Sequence, residues 1–121
     1  NDAYNANADS VRASLETLAA LETAGRRCVV LGEMAELGEH AEDAHREVGE
    51  LTASAAAGLV AIGRWADVTA EAARAAGLKA VESVPDVRGA VDVLRDWVQP
   101  RDVVLLKASR AAKLEQILDL F

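Results

Sequence analysis

A single cysteine occurs in the 121 residues, so no intrachain disulfide can form. It lies in the apolar run Cys28-Val29-Val30-Leu31, where a buried, unreactive thiol in a reducing cytoplasm is the simplest expectation. Basic blocks are also missing. With 13 lysines and arginines against 20 aspartates and glutamates, a net charge of -7 and a pI near 4.8, the chain lacks the clustered cations that nucleic-acid binding requires. No apolar run approaches the roughly 18 residues of a membrane span, and the first residues lack the basic-then-apolar order of a signal peptide. A soluble, cytoplasmic chain with neither a nucleic-acid nor a membrane partner is expected. Neither Gly-x-x-x-x-Gly-Lys-Ser/Thr nor Gly-x-Gly-x-x-Gly is found, which excludes a phosphate cradle of the chain's own. Cys-x-x-Cys and His-Glu-x-x-His spacings for zinc are absent too.

What is present is an apolar half of the composition, enough for one sizeable core, arranged as alternating helical and strand patterns. The organising stretch is Cys28-Val29-Val30-Leu31-Gly32-Glu33-Met34-Ala35-Glu36-Leu37-Gly38-Glu39, an apolar β-branched run that switches to glycine and carboxylate. That pattern is a buried parallel strand feeding a loop at its carboxyl end. Before it, Val11, Leu15, Leu18 and Leu21 recur at helical spacing, which predicts a helix over 8–24 with Asn7 as N-cap and Gly25 as its stop. After it, helices are predicted over 40–57 (ended by Gly58), 65–76 (stopped by Gly77), from Pro85 in the first turn to 98, and over 111–120. Strands are predicted at 26–31, 59–63, 78–82 and 103–107. This alternation specifies an α/β fold, a Rossmann-like three-layer domain with a mainly parallel sheet and helices on both faces, joined by right-handed crossovers.

Three polar segments then fall at comparable places: 2–7 before the first helix, 32–39 after one strand and 107–110 after another. In a parallel sheet all three emerge along one rim, where open α/β sheets bind ligands.

The residues of these segments carry a resemblance. Asn1-Asp2-Ala3-Tyr4-Asn5-Ala6-Asn7, then Leu31-Gly32-Glu33-Met34-Ala35-Glu36-Leu37-Gly38 with His45-Arg46-Glu47-Val48-Gly49, and finally Leu106-Lys107-Ala108-Ser109-Arg110 resemble the C-terminal domain of the Mur ligases. The likeness spans essentially the whole chain in order, and is greatest to the branch that joins D-alanyl-D-alanine to a UDP-MurNAc-tripeptide in bacterial peptidoglycan synthesis. It implies that residues 1–121, which open without methionine inside a motif, are the third domain of a longer ATP- and Mg2+-dependent amide-bond ligase. In such an enzyme the first domain holds the UDP-sugar peptide, the second carries the P-loop and the magnesium ligands, and the third closes over them. The substrate carboxylate is phosphorylated to an acyl phosphate, which the dipeptide's amine attacks. The isolated fragment is expected to be inactive, with no catalytic residue and no metal ligand of its own.

On the same resemblance Asp2 contacts ATP at the ribose hydroxyls, and Tyr4, Asn5 and Asn7 line the nucleotide. Lys107, Ser109 and Arg110 correspond to the segment that takes the incoming dipeptide, whose carboxylate fits the Arg110 guanidinium or the Lys107 ammonium. Two positions depart from the family pattern. Ala8 stands where proline is usual, and Ala108 replaces a glycine, so a positive φ before Ser109 is disfavoured. Rival readings are another amino-acid-adding ligase of the superfamily and a stand-alone α/β module that binds a nucleotide or a protein.

Residue type alone gives blander readings of several positions. Asn7 suits a cap, and Tyr4 can equally pack its ring on the sheet edge. Glu33, Glu36 and Glu39 read as a solvated acidic loop before a helix start, not as a metal site. His45 reads as a structural hydrogen-bonding residue and His40 as lying near its helix's start. Ser109 has no histidine and aspartate partners spaced to make it a nucleophile. Trp65 and Trp97 read as core or partial-core residues.

Overall fold

Four strands, β1 (Arg27–Leu31), β2 (Gly58–Ile62), β3 (Ala80–Val84) and β4 (Val103–Lys107), hydrogen-bond in the order β3-β2-β1-β4, and every pairing is parallel. The computed structural model describes the backbone of residues 2–35 and 37–108, and side chains from residue 7 onward. Its register explains why these runs became strands. Val81, Leu59, Val29 and Leu105 stand side by side in one row and pack on one face, while Val60, Val30 and Leu106 form the next row and pack on the other. A strand whose alternate residues are apolar in both directions is stable only when both faces are covered.

Helices α1 (Asp2–Ala20), α2 (Ala41–Ala53) and α3 (Ala66–Ala75) cover the first face through Val11, Leu15, Leu18, Ala44, Val48, Ala70 and Ala73. On the second face lies α4 (Val87–Trp97), through Ala90, Val91 and Leu94. The α/β, two-faced architecture expected from the pattern is thus observed, and Cys28 is buried in β1 with its thiol pKa raised, chiefly by desolvation. The helix expected at 111–120 lies outside the described residues.

Helix ends differ from the pattern in instructive ways. Helix α1 begins at Asp2, so Asn7 is inside the helix and not its N-cap. Alanine at position 8 keeps its amide and its helix propensity, and the turn can be extended back through 2–7. The same helix ends at Ala20, because the Arg27 guanidinium donates to the carbonyls of Leu18 (2.9 Å) and Leu21 (2.5 Å), a cation placed at a helix carboxyl end. Gly25 is there for close approach: a Cβ would lie 2.5 Å from the Arg101 carbonyl.

Helix α2 ends at Ala53, before Gly58, since the Ala57 amide pairs with the Arg27 carbonyl at 2.7 Å. Gly58 opens β2 instead, leaving room for the Trp97 ring, 3.1 Å from where a Cβ would be. At α4 the cap is Asp86, whose Oδ1 accepts from the Gly89 amide at 2.9 Å, and Pro85 precedes the cap instead of sitting in the first turn. Gly77 does stop α3, at φ 106°, and β3 starts two residues later than expected, after the buried Leu78.

At the amino ends of β1 and β4, the Asp102 carboxylate accepts from the Gln99 amide (2.9 Å), the Arg26 amide (2.7 Å) and the Arg26 guanidinium (3.1 Å). These donors, the Gln99 and Arg26 amides first, hold its pKa below the ordinary value. The opposite end of the same strand pair is free to build a site.

Candidate functional site

The chain runs from β1 to β2 to β3 on one side of the sheet, then returns through α4 to place β4 on the other side of β1. Strand order therefore reverses between β1 and β4, and a crevice opens just past their carboxyl ends. Its base is a backbone hydrogen bond from the Gly32 amide to the Lys107 carbonyl, 2.8 Å, one residue beyond the β1 strand. A cavity of about 130 Å³ sits here. Asn7, Ser10 and Val11 of α1 line it, with Gly32 and Met34 after β1, His45 and Val48 of α2, Thr69 of α3, and Lys107 and Ala108 at the end of β4.

Helical spacing puts Asn7, Ser10 and Val11 on one face of α1, since residues three and four apart are neighbours. The half-buried Lys107 turns its ammonium to the Ser10 hydroxyl, 2.5 Å away. Among the described lining residues Lys107 carries the only side chain that is cationic by type alone, so the crevice offers a positive centre within an acidic chain.

His45 is buried beside it. Its Nδ1 lies 2.7 Å from the Ala41 carbonyl, and its Nε2 accepts from the Met34 amide at 3.1 Å. Donation from Nδ1 and acceptance at Nε2 define the neutral ring. Burial lowers the His45 pKa below the ordinary 6.5, while the Ala41 hydrogen bond and the Glu33 charge push less strongly the other way. The ring stacks on half-buried Trp65 with centroids 6.0 Å apart, and the Arg64 guanidinium lies 5.1 Å from the Trp65 ring centroid. The structural role expected for His45 is what these bonds describe.

Glu33 is exposed and its Oε1 accepts from the Arg64 amide at 3.1 Å, next to Gly63 at φ 105°. It pins the loop after β1 to the turn after β2. Glu39 lies in a short 3-10 turn over Gly38–His40, and Glu36 lies outside the described residues.

Of the site residues expected from sequence, Asn7 and Lys107 meet in this one crevice. Asp2, Tyr4 and Asn5 fall in the opening turns of α1, so the first polar segment is helix and not a turn. Their side chains lie outside the described residues, as do Ser109 and Arg110. Ser10 was not legible as a site residue, although its spacing of three from Asn7 carried the signal. Val48 and Thr69 were not legible as site residues either, and they enter the crevice because α2 and α3 pack in close contact there.

Residues 1–110 match the family described as Mur ligase, glutamate ligase domain. A UDP-N-acetylmuramoyl-tripeptide--D-alanyl-D-alanine ligase of Mycobacterium bovis is 41% identical over 98% of this chain and 27% of its own length. The enzyme of the same name from Escherichia coli is 33% identical over 97% of this chain and 25% of its own length. Among solved structures, MurF ligase from Thermotoga maritima in complex with ADP superposes with a TM-score of 0.69 at 30% identity, over 94% of this chain and 25% of that one. MurF from Acinetobacter baumannii superposes with a TM-score of 0.79 at 24% identity, over 93% of this chain and 25% of that one, and shares the fold. The chain spans about a quarter of the length of the relatives it matches. By its sequence match over residues 1–110 and by its fold, the chain belongs to the Mur ligase family.

Proposed function

We propose that this chain is the C-terminal domain of a three-domain, ATP-dependent ligase that adds D-alanyl-D-alanine to a UDP-MurNAc-tripeptide in the bacterial cytoplasm. The observation that carries the reading is the crevice at the β1/β4 reversal, where Asn7 and Lys107, assigned to nucleotide and dipeptide on separate motifs, line one cavity. Its volume of about 130 Å³ is well below the roughly 300–1,000 Å³ of a complete small-molecule site. Half a pocket, completed by the amino-terminal and central domains, fits that size. No helix among the described residues is long and apolar enough to cross a membrane, which accords with a cytoplasmic enzyme.

In this reading Asp2, Tyr4, Asn5 and Asn7 hold the nucleotide, and Lys107, Ser109 and Arg110 hold the dipeptide. Mg2+ neutralises phosphate charge when bound, and its ligands belong mostly to the central domain. This chain's contribution is to exclude water from a hydrolysis-prone intermediate and to align the attacking amine, the kind of positioning that orientation makes effective. Lys107 suits the dipeptide's carboxylate because its ammonium is already aimed into the crevice, where exchanging the Ser10 hydroxyl for an anion strengthens the bond.

The test is ADP release by the full-length protein. Release that requires both UDP-MurNAc-tripeptide and D-alanyl-D-alanine is expected, with Asp2→Ala raising the KM for ATP and Arg110→Ala the KM for the dipeptide. The 121-residue chain alone is expected to show no turnover. Turnover by the fragment, or unchanged KM values in both variants, refutes the assignment.

A further inference from the structure

We propose that His45 is a positioning residue for this crevice: by accepting the Met34 amide at Nε2 it fixes the loop at 32–34 that lines the site with Asn7 and Lys107. This rests on the ligase reading for its kinetic consequence, though not for its geometry.

Beyond β1 the loop leaves the ladder. The Gly32 amide is still taken by the Lys107 carbonyl, but the Met34 amide, on a residue only 7% exposed, has His45 as its partner. Losing that acceptor would strand a buried donor, which is costly. The imidazole suits the task because everything around it opposes rotation. Its Nδ1 donates to the Ala41 carbonyl in the first turn of α2, its face lies on Trp65, and Arg64 stacks against that ring. With Nδ1 committed as donor, Nε2 can only accept.

The neighbouring loop residue is held independently, by the Glu33 carboxylate on the Arg64 amide. Consecutive residues are thus tied to two different elements, one through a buried ring and one through an exposed carboxylate. Such a loop keeps its shape before a ligand arrives, and a site held in this way does not spend binding energy on ordering itself. His45 also lines the cavity, so the anchoring ring and the ligand-facing wall are one side chain.

Two variants of the full-length ligase test this. His45→Phe keeps a flat ring for Trp65 and removes the acceptor. His45→Gln places an amide oxygen near the position of Nε2 and restores it. In His45→Phe the Met34 amide is expected to exchange its hydrogen about tenfold faster while the β1 amides of Val29 and Val30 keep their protection. In the same variant kcat is expected to fall about tenfold with KM changed by less than about threefold, and His45→Gln is expected to recover most of that loss. Unaltered Met34 exchange in His45→Phe, a glutamine variant no better than phenylalanine, or unchanged kcat per folded molecule would overturn the proposal. Absence of ligation by the wild-type protein would instead refute the ligase reading, and the exchange measurement would still decide whether His45 holds the loop.

Discussion

Gly49→Ala separates two forces that act in opposite directions. By helix propensity alone, alanine in the interior of α2 stabilises by about 1 kcal/mol. Gly49 is buried, however, and a Cβ there would stand 2.3 Å from the Thr69 carbonyl oxygen and 3.1 Å from the Ala72 Cβ. The oxygen belongs to backbone and has no rotamer to escape into, so α2 and α3 must part by roughly 1 Å to restore contact distance. Parting them loosens Ala44, Val48, Ala70 and Ala73 in the core beneath. Overpacking of this kind costs about 1–3 kcal/mol, and a backbone clash belongs at the upper end. The net expectation is a loss of about 2 kcal/mol. With an unfolding entropy of about 2.1 cal/mol/K per residue over 121 residues, that lowers Tm by roughly 8 °C. Thermal and urea unfolding followed by circular dichroism read it directly, with an unchanged m-value excluding an effect on the unfolded chain. A variant as stable as the parent, or more so, would mean that the helices do not meet at Gly49.

His45 gives a pH prediction. Its folded pKa is lowered, chiefly by burial, so the stability it contributes is intact above the unfolded value of about 6.5. It is lost as pH falls from there through the folded value, because only the unfolded state binds the proton in that window. Melting curves of wild type and His45→Gln between about pH 7.5 and 5 should converge on acidification, and parallel curves would refute the assignment. Leu94→Ala removes a side chain only 1% exposed on the α4 face and should cost about 2–5 kcal/mol in urea unfolding. Asp86→Ala deletes the α4 cap bond to Gly89 and should cost about 1 kcal/mol by the same measurement, with Asp86→Ser restoring most of it.

Strand β4 and the cores of the helices were readable because period-two and period-3.6 patterns are local properties of the chain. Helix ends were harder. The stop of α1 depends on Arg27 reaching back to Leu18 and Leu21, and that of α2 on Ala57 pairing with Arg27. The first is a side chain reaching back over a few residues, which apolar periodicity does not encode, and the second is a tertiary bond that no window around the helix end displays. The gathering of Asn7, Gly32 and Lys107 followed from parallel topology alone, and the motif resemblance agrees with the family match. Ser10 escaped notice because its partner, Lys107, is 97 residues away. His45 was legible as structural, but its partner Met34 lies in an irregular loop whose path periodicity does not describe.

The rung between Gly32 and Lys107 has a consequence for redesign. Since a main-chain bond welds the two strand ends together, their spacing is set by the sheet and is not adjustable without unzipping it. Helix α1 meets that frame at Lys107 through a hydroxyl, a contact that substitution can lengthen, shorten or remove. Attempts to change what the crevice admits therefore belong at Ser10, where its bore can be retuned while the frame stays whole.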